Sequence, residues 1–361
     1  MDLTLTEEQR DLRDAVRSLL TKQADSAAVR AAMASPTGRD EPLWRQLTGE
    51  LGLTGLSVPE ASGGAGATFA EVAVVLEEAG AALLPGPYAS TVVVAEVLTR
   101  FGRTDLLPAL GDGAVGALAQ REPGDRSWPP RVGCVGSRNA CSWLLTGVQA
   151  AVVDGGAADL LLVAAVDGGA ETLFAVAGNA AGLSRAAVPL MDQTRRAADL
   201  RFERVPAVRV GGPDAVAFAR DVAAVAAACE AVGTARRALE RTVEHLRART
   251  QFGRPLGSFQ ALRHRAADLF TTVEAAASTA RYAACVVATA PDELPVVAPL
   301  AKLVCAQALT DVAAEAVQLH GGIAITWEHD AHLWFKRAAH VQHTGGSPEQ
   351  LRRQLAPAAG L

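Results

Sequence analysis

The stretch RTQFGRPLGSFQ, Arg249 to Gln260, joins two long Ala-rich apolar runs. A connector needs only polarity and a turn residue, yet this one carries a cation, two amides, an aromatic and a Gly-Arg-Pro turn. The guanidinium of Arg249 is planar and permanently charged, which suits phosphate oxygens. Gln251 and Gln260 each offer amide donors and an acceptor. Phe252 could stack on a ring, and Gly253 leaves room for a close approach. Arg249 and Gln260 lie eleven residues apart on either side of the turn, so both could face one extended ligand. A capped helix–helix connector accounts for the same residues without any ligand.

A second motif, QLHGGIAITWEHD, runs from Gln318 to Asp330. An Ala- and Val-rich helix is expected to end at Gly321-Gly322, a C-cap with unusual backbone freedom, with Gln318 one turn before it. Bare amide and backbone groups at such a bend can hold a polar heterocycle. His329 with His332, and His340 with His343, are three apart. That spacing would put each pair on one helical face, as a metal site needs. No carboxylate–histidine helix motif of the metalloprotease type accompanies them, so no metal is expected. The chain also has no GxGxxG after a strand and no P-loop. Cys134, Cys141, Cys229, Cys285 and Cys305 show no paired-ligand spacing and read as small buried hydrophobes in a reducing compartment.

The elements that must position these motifs fall into three blocks. Residues 1–112 read helical. Thr6 with Gln9 makes a capping box, and Leu12, Val16, Leu19 and Leu20 follow on one face. A helix around Leu43 to Leu51 stops at Gly52, and helical patterns resume from Phe69 to Phe101. Residues 113–212 change character. WLLTGVQAAVV, DLLLVAAV, TLFAVA and ADLRFERV have strand lengths and are bounded by Gly-rich turns. In the last, Leu200 and Phe202 alternate with Arg201 and Glu203, as in a half-solvated antiparallel strand. Residues 213–361 turn helical again, with a long helix from Asp214, its expected N-cap, to Arg247. Further helices are expected over Ser258–Val287, Pro295–Gln318 and His332–Gln342. The order predicts an α+β fold: an N-terminal helical domain, a middle antiparallel β-barrel domain and a C-terminal helical bundle.

The chain has 361 residues, half of them hydrophobic, so it can bury a large core; aromatics are only 4%, which leaves Ala, Val and Leu to fill it. A net charge of −5 gives no basic field for a phosphate backbone and argues against nucleic acid as a partner. The acidic start MDLTLTEEQRDLRD lacks the form of a secretory signal. Apolar runs such as AVAFARDVAAVAAACEAVG are broken by charges, so no membrane span is expected. A soluble cytoplasmic protein is the expectation.

The chain resembles the acyl-CoA dehydrogenases, most closely in wording their actinobacterial members. The resemblance rests on RTQFGRPLGSFQ with the ADL that follows, and on QLHGGIAITWEHDAHLWFKRA. LGLTGLSVPEASGGAG and LLTGVQAAVVDGGAADLLLV are weaker echoes, and the order of the blocks extends the likeness over nearly the whole length. The resemblance implies non-covalent FAD and oxidation of an acyl-CoA thioester to a trans-2-enoyl-CoA. A glutamate removes the α proton while the β hydrogen passes to the flavin. A thioester α-C–H is too weak an acid for a carboxylate in water, so such a site must also hydrogen-bond the developing enolate oxygen. In the family the Arg, the Phe and the bend grip the adenosine-pyrophosphate end of FAD, largely that of the neighbouring subunit. Carried over, this clamp role falls to Arg249, Gln251, Phe252, Gln260, Gln318, Gly321 and Gly322.

The flavin-ring end departs from the family. Its Thr-Glu-Pro strand end reads AQREPG here, with Glu122 and Pro123 kept but Arg121 in place of the threonine. The Trp and Thr that it brings to the flavin correspond to Ala151 and Val153. The glutamate base of its YEGT segment corresponds to Gly345, in Thr344-Gly345-Gly346-Ser347, and the alternative position on the first C-terminal helix is Ala223. The resemblance therefore implies one subunit of a heteromeric acyl-CoA dehydrogenase, a two-plus-two tetramer of the kind some actinobacteria use in steroid side-chain breakdown. A second acyl-CoA dehydrogenase-like subunit would carry the base, and an electron-transfer flavoprotein type of acceptor is implied. The alternatives are a homotetramer with a base relocated to Asp221 or Glu349, and a catalytically silent scaffold.

Overall fold

A computed structural model describes residues 3–121, 124–125, 131–139 and 142–360. Glu122, Pro123 and Cys141 therefore lie outside the described residues.

The first block is helical: α1 (Glu7–Gln23), α2 (Ser26–Ala34), α3 (Glu41–Arg45), α4 (Phe69–Ala81), α5 (Tyr88–Arg100) and α6 (Leu107–Gly111). The Thr6 capping box forms in both directions, the Gln9 amide N–H donating to the Thr6 hydroxyl at 3.2 Å and the Thr6 N–H to the Gln9 side chain at 3.1 Å. Thr68 and Glu71 repeat the device at α4. After α3 the chain runs through a π turn and stops at Gly52, which takes a left-handed φ of 60°.

The middle block is a sheet of β1 (Gly116–Ala119), β2 (Cys134–Asn139), β3 (Ser142–Val153), β4 (Leu160–Asp167), β5 (Ala170–Ala177), β6 (Leu183–Val188) and β7 (Ala197–Gly211). The ladders β2–β3, β3–β7, β7–β5 and β5–β4 are antiparallel, and a single parallel bridge, Val135 to Val166, closes β2 onto β4. The sheet thus curls into a barrel, with β1 added parallel to β4 and β6 antiparallel to β7. Leu200 and Phe202 point inward while Arg201 and Glu203 are exposed, as the alternation predicts. Strands β1, β2 and β6 are too short or too weakly patterned to announce themselves in the sequence.

The last block holds α7 (Pro213–Ala248), the short strands β8 (Thr250–Gln251) and β9 (Arg254–Pro255), then α8 (Gln260–Thr289), α9 (Leu294–His320), α10 (Ala331–His343) and α11 (Pro348–Leu355). The N-cap of α7 is Gly212 rather than Asp214, which lies in the first turn. Pro213 explains the difference, because its fixed φ starts the helix one residue earlier. Against the sequence reading, Pro291–Ile325 is long and apolar enough to cross a membrane by length and composition. It contains α9, a core helix packed against α7 and α8, and most of its apolar window is buried. Cys134, Cys229 and Cys305 are buried, Cys285 is half-buried, and all four are free thiols.

α4 and α7 cross at backbone contact. A Cβ on Gly233 would meet the Glu77 carbonyl oxygen at 1.7 Å, and one on Gly80 would meet that of Glu230 at 2.1 Å. The Thr234 hydroxyl donates to the Gly80 carbonyl at 2.8 Å across the same crossing. These two glycines fix how the N-terminal helices seat on the C-terminal bundle.

Candidate functional site

The first motif is a two-residue hairpin at the end of α7. Thr250 pairs with Pro255 and Gln251 with Arg254, so Phe252 and Gly253 form the turn. Both take left-handed φ values, 53° and 75°, as a type I′ turn demands. Phe252 is a strained choice there, and its ring is 88% exposed. Arg254 lies over the Phe259 ring at 4.0 Å, and Phe259 meets Phe252 edge-on at 6.2 Å. Arg249, by contrast, is exposed and makes no side-chain hydrogen bond or ion pair among the described residues.

The second motif comes to the same end of the bundle. α9 stops at Gly321, whose φ of 68° turns the chain, and Gln318, Gly321 and Gly322 are exposed. Three imidazoles tie the motifs together: His245 of α7 and His329 each lie 4.4 Å from His320 of α9, with Trp334 behind at 6.2 Å from His320. Burial pushes all three below the ordinary histidine value. His245 and His320 escaped the sequence reading; a histidine within a turn of each motif was the available signal. His329 precedes α10 and so does not share a helical face with His332, and no cluster of three or more His, Cys, Asp or Glu placed for a metal ion occurs among the described residues.

The residues at this end fit the adenosine-pyrophosphate half of a dinucleotide. A Cβ on Gly253, Gly321 or Gly322 would meet nothing within 4 Å, so backbone is open to a close ligand. An unpaired guanidinium, exposed amides at Gln251, Gln260 and Gln318, and an exposed aromatic face complete an anion- and ring-binding set.

A second feature is a cavity of about 740 Å³ between α5, the barrel, α7 and the end of α10. Arg121, Ala151, Val153, Ala223 and Gly345 all line it. Ala151 sits on a β-bulge of β3 at φ 48°, its N–H donating to Asp199 at 2.8 Å. Ala223, Ala226, Ala227 and Glu230 form one face of α7. Ala151, Val153 and Ala223 thus offer only aliphatic groups to this cavity, and Gly345 a hydrogen.

The relocated-base candidates do not reach this cavity. Neither Asp221 nor Glu349 lines it; Asp221 is pushed up to about 7 by burial, and Glu349 is exposed and paired with Arg353. The carboxylates that do line it are engaged. Glu230 is ion-paired with Arg195, and Asp154 accepts from the Ser90 hydroxyl at 2.6 Å. Asp125 accepts from the Arg131 N–H at 2.7 Å and pairs with Arg121 at 3.5 Å. At this wall Arg337 donates to Asp192 at 2.7 Å, both side chains being almost fully buried. Burial alone would raise Asp192, but Arg337, Thr194 and Arg195 outweigh it and bring it to about 2.

Comparison with known proteins decides what this arrangement is. The family models described as acyl-CoA dehydrogenase, N-terminal domain and acyl-CoA dehydrogenase, C-terminal domain match residues 6–108 and 215–360. Acyl-CoA dehydrogenase IpdE2 of Mycobacterium tuberculosis is 40% identical over 356 residues, covering 98% of each chain. The chain belongs to the acyl-CoA dehydrogenase family. Two solved structures superpose along the full length. The Tcur3481-Tcur3483 steroid ACAD variant does so with a TM-score of 0.91 at 33% identity, covering 99% of both chains. The ChsE4-ChsE5 complex from Mycobacterium tuberculosis also gives 0.91, at 27% identity, covering 100% of this chain and 99% of that one. Acyl-CoA dehydrogenases are FAD-dependent oxidoreductases acting on a CH–CH bond, and this member has their three-part fold.

Proposed function

We propose that this chain is the base-lacking subunit of a heteromeric, FAD-dependent acyl-CoA dehydrogenase of the cytoplasm. The observation that carries the reading is that Arg121, Ala151, Val153, Ala223 and Gly345 line one cavity, so the departures from the family fall on a single site. The residues we assign to the clamp lie elsewhere. Arg249 follows α7 nineteen residues beyond Glu230, about 28 Å at a rise of 1.5 Å per residue. A clamp so far from its own cavity serves a cofactor held mainly by another subunit.

In this reading Arg249 holds the pyrophosphate, Phe252 covers a ring face, and Gln251, Gln260, Gln318, Gly321 and Gly322 bind the adenosine end. Bound FAD supplies the electron acceptor for the α,β-dehydrogenation. The partner's carboxylate removes the α proton, and an electron-transfer flavoprotein type of carrier takes the electrons. The likeness to a steroid ACAD favours a bulky alicyclic acyl-CoA as the substrate of the assembled two-plus-two tetramer. A self-sufficient homotetramer would need Glu230, Asp154 or Asp125 as its base, and each is already held by a neighbour.

Colour tests the proposal. The chain expressed alone should be colourless, and co-expression with a second acyl-CoA dehydrogenase-like subunit should give a yellow complex. Arg249→Ala in this chain should lower the flavin affinity of that complex about tenfold or more, although the partner is untouched. Flavin retained by the isolated chain, or unchanged in the mutant complex, contradicts the reading.

A further inference from the structure

His245, His320 and His329 meet where the two stretches of the clamp come together. His245 lies one turn before the end of α7 and its hairpin, His320 ends α9 at the Gly321 bend, and His329 lies in the turn that leads into α10. The His320 ring is the middle one, 7% exposed and 4.4 Å from each neighbour, with Trp334 at 6.2 Å. Three titratable rings thus fill a junction that apolar side chains would ordinarily fill.

The hydrogen bonds call for neutral rings. His320 Nδ1 lies 2.7 Å from the Ala316 carbonyl oxygen and must carry that ring's one proton, which leaves Nε2 bare. His329 Nδ1 accepts from the Ala331 N–H at 3.0 Å, so a proton on that nitrogen would face another N–H and free the first turn of α10. The surroundings offer an imidazolium little. Arg249 faces His245, Arg241 of α7 and Arg30 of α2 face His329, and Lys336 and His332 of α10 lie beyond. The Asp330 carboxylate already accepts from Arg30 at 2.9 Å and from Ser26 at 2.6 Å. Glu244 is paired with Arg241, and Glu328 is bonded to Thr326. The ends of α7 and α9 would each favour a cation, but rings 4.4 Å apart cannot both carry one without repulsion.

We propose that this stack is a pH-sensitive latch: neutral, it holds the β8–β9 hairpin against the Gly321-Gly322 bend, and protonated, it parts them. The consequence for flavin, which is released in acid, rests on the clamp reading above. Burial lowers all three rings, so the folded chain binds these protons more weakly than the unfolded one. The stabilising contribution is therefore full above about 6.5 and fades as pH falls below it.

The test is amide hydrogen exchange on the full chain at about pH 7.5 and about pH 5.5, each rate scaled to that of an unstructured chain at the same pH. In acid, residues 249–256 and 318–330 should together lose about tenfold or more of their protection, while α4 and α7 keep theirs at the Gly80–Gly233 crossing. His320→Phe keeps a ring without the proton, and His329→Asn keeps an acceptor for the Ala331 N–H without a titrating group. Either should hold the protection in acid near its neutral level, and if His320→Phe fails to fold, His329→Asn decides. Protection unchanged by acid in the wild type, lost to the same extent in the variants, or lost across the whole chain at once overturns the latch. Flavin content of the purified holoenzyme is read over the same pH range. A loss that takes up more than one proton per flavin, absent in His329→Asn, supports latch and clamp together. Segments that part while flavin stays bound overturn the clamp reading and leave the latch standing.

Discussion

At Gly345 the backbone holds a φ of 75°, and an added Cβ would lie 3.8 Å from the Cε of Lys302. Lys302 is buried, donates to the Val341 carbonyl, and has no ion-pair partner among the described residues. Burial lowers its amine to about 8. A carboxylate restored by Gly345→Glu would therefore meet a lysine rather than a substrate, on a backbone that costs a non-glycine residue roughly 1–2 kcal/mol. We expect no turnover from the isolated, flavin-supplemented variant with any acyl-CoA in an anaerobic assay, and no gain in melting temperature. Asp221 gives a pH prediction of definite sign. Burial raises its carboxyl from 3.8 to about 7, with Arg220 opposing. The folded state then binds that proton more tightly than the unfolded chain, so the contribution is fully present below about 3.8 and is lost as pH rises through about 7. Asp221→Asn should flatten this slope, as read from urea midpoints at about pH 5 and about pH 8.

The β8–β9 hairpin separates stability from binding at the level of one element. An aromatic at the first position of a type I′ turn is a poor conformational choice, and Asn-Gly is the favoured pair. Phe252→Asn should leave the chain as stable as before or more so, while the flavin content of the assembled enzyme falls. A drop in melting temperature together with unchanged flavin would remove Phe252 from the clamp. The two motifs proposed as the clamp were legible as motifs because their residues lie in two short stretches, and the long helices were legible because their apolar period is local. The charged wall of the cavity was not. Asp154, Arg195, Glu230 and Arg337 come from a strand end, a loop and two helices, and no spacing along the chain relates them. The only trace was a lone charge inside an apolar face, as with Glu230 in AVAAACEAVG. Asp221, which looked like a base on position alone, lies on another face of α7 from Ala223, Ala226, Ala227 and Glu230. α11 went unread because it is only eight residues long, although Ser347 caps it with Gln350 in the manner of Thr6.

Across the whole molecule, the crossing of α4 and α7 couples the N-terminal helices to the bundle that carries both clamp and cavity. Gly233→Ala would drive a methyl into the Glu77 carbonyl, 1.7 Å from an added Cβ, with no flexible side chain to yield. Overpacking against backbone should cost about 3 kcal/mol or more, seen as a lower denaturation midpoint. Wild-type stability in that variant would mean that the crossing is looser than this geometry allows. α9 has a consequence of another kind, one of timing. It is the helix that α7 and α8 close around, yet it is translated after both of them. Until residues 294–320 leave the ribosome, the Ala-rich faces of α7 and α8 have nothing to cover them, and when α9 does emerge it resembles a membrane span. The nascent chain therefore passes late through its most aggregation-prone stage, when a chaperone or a waiting partner subunit has most to do.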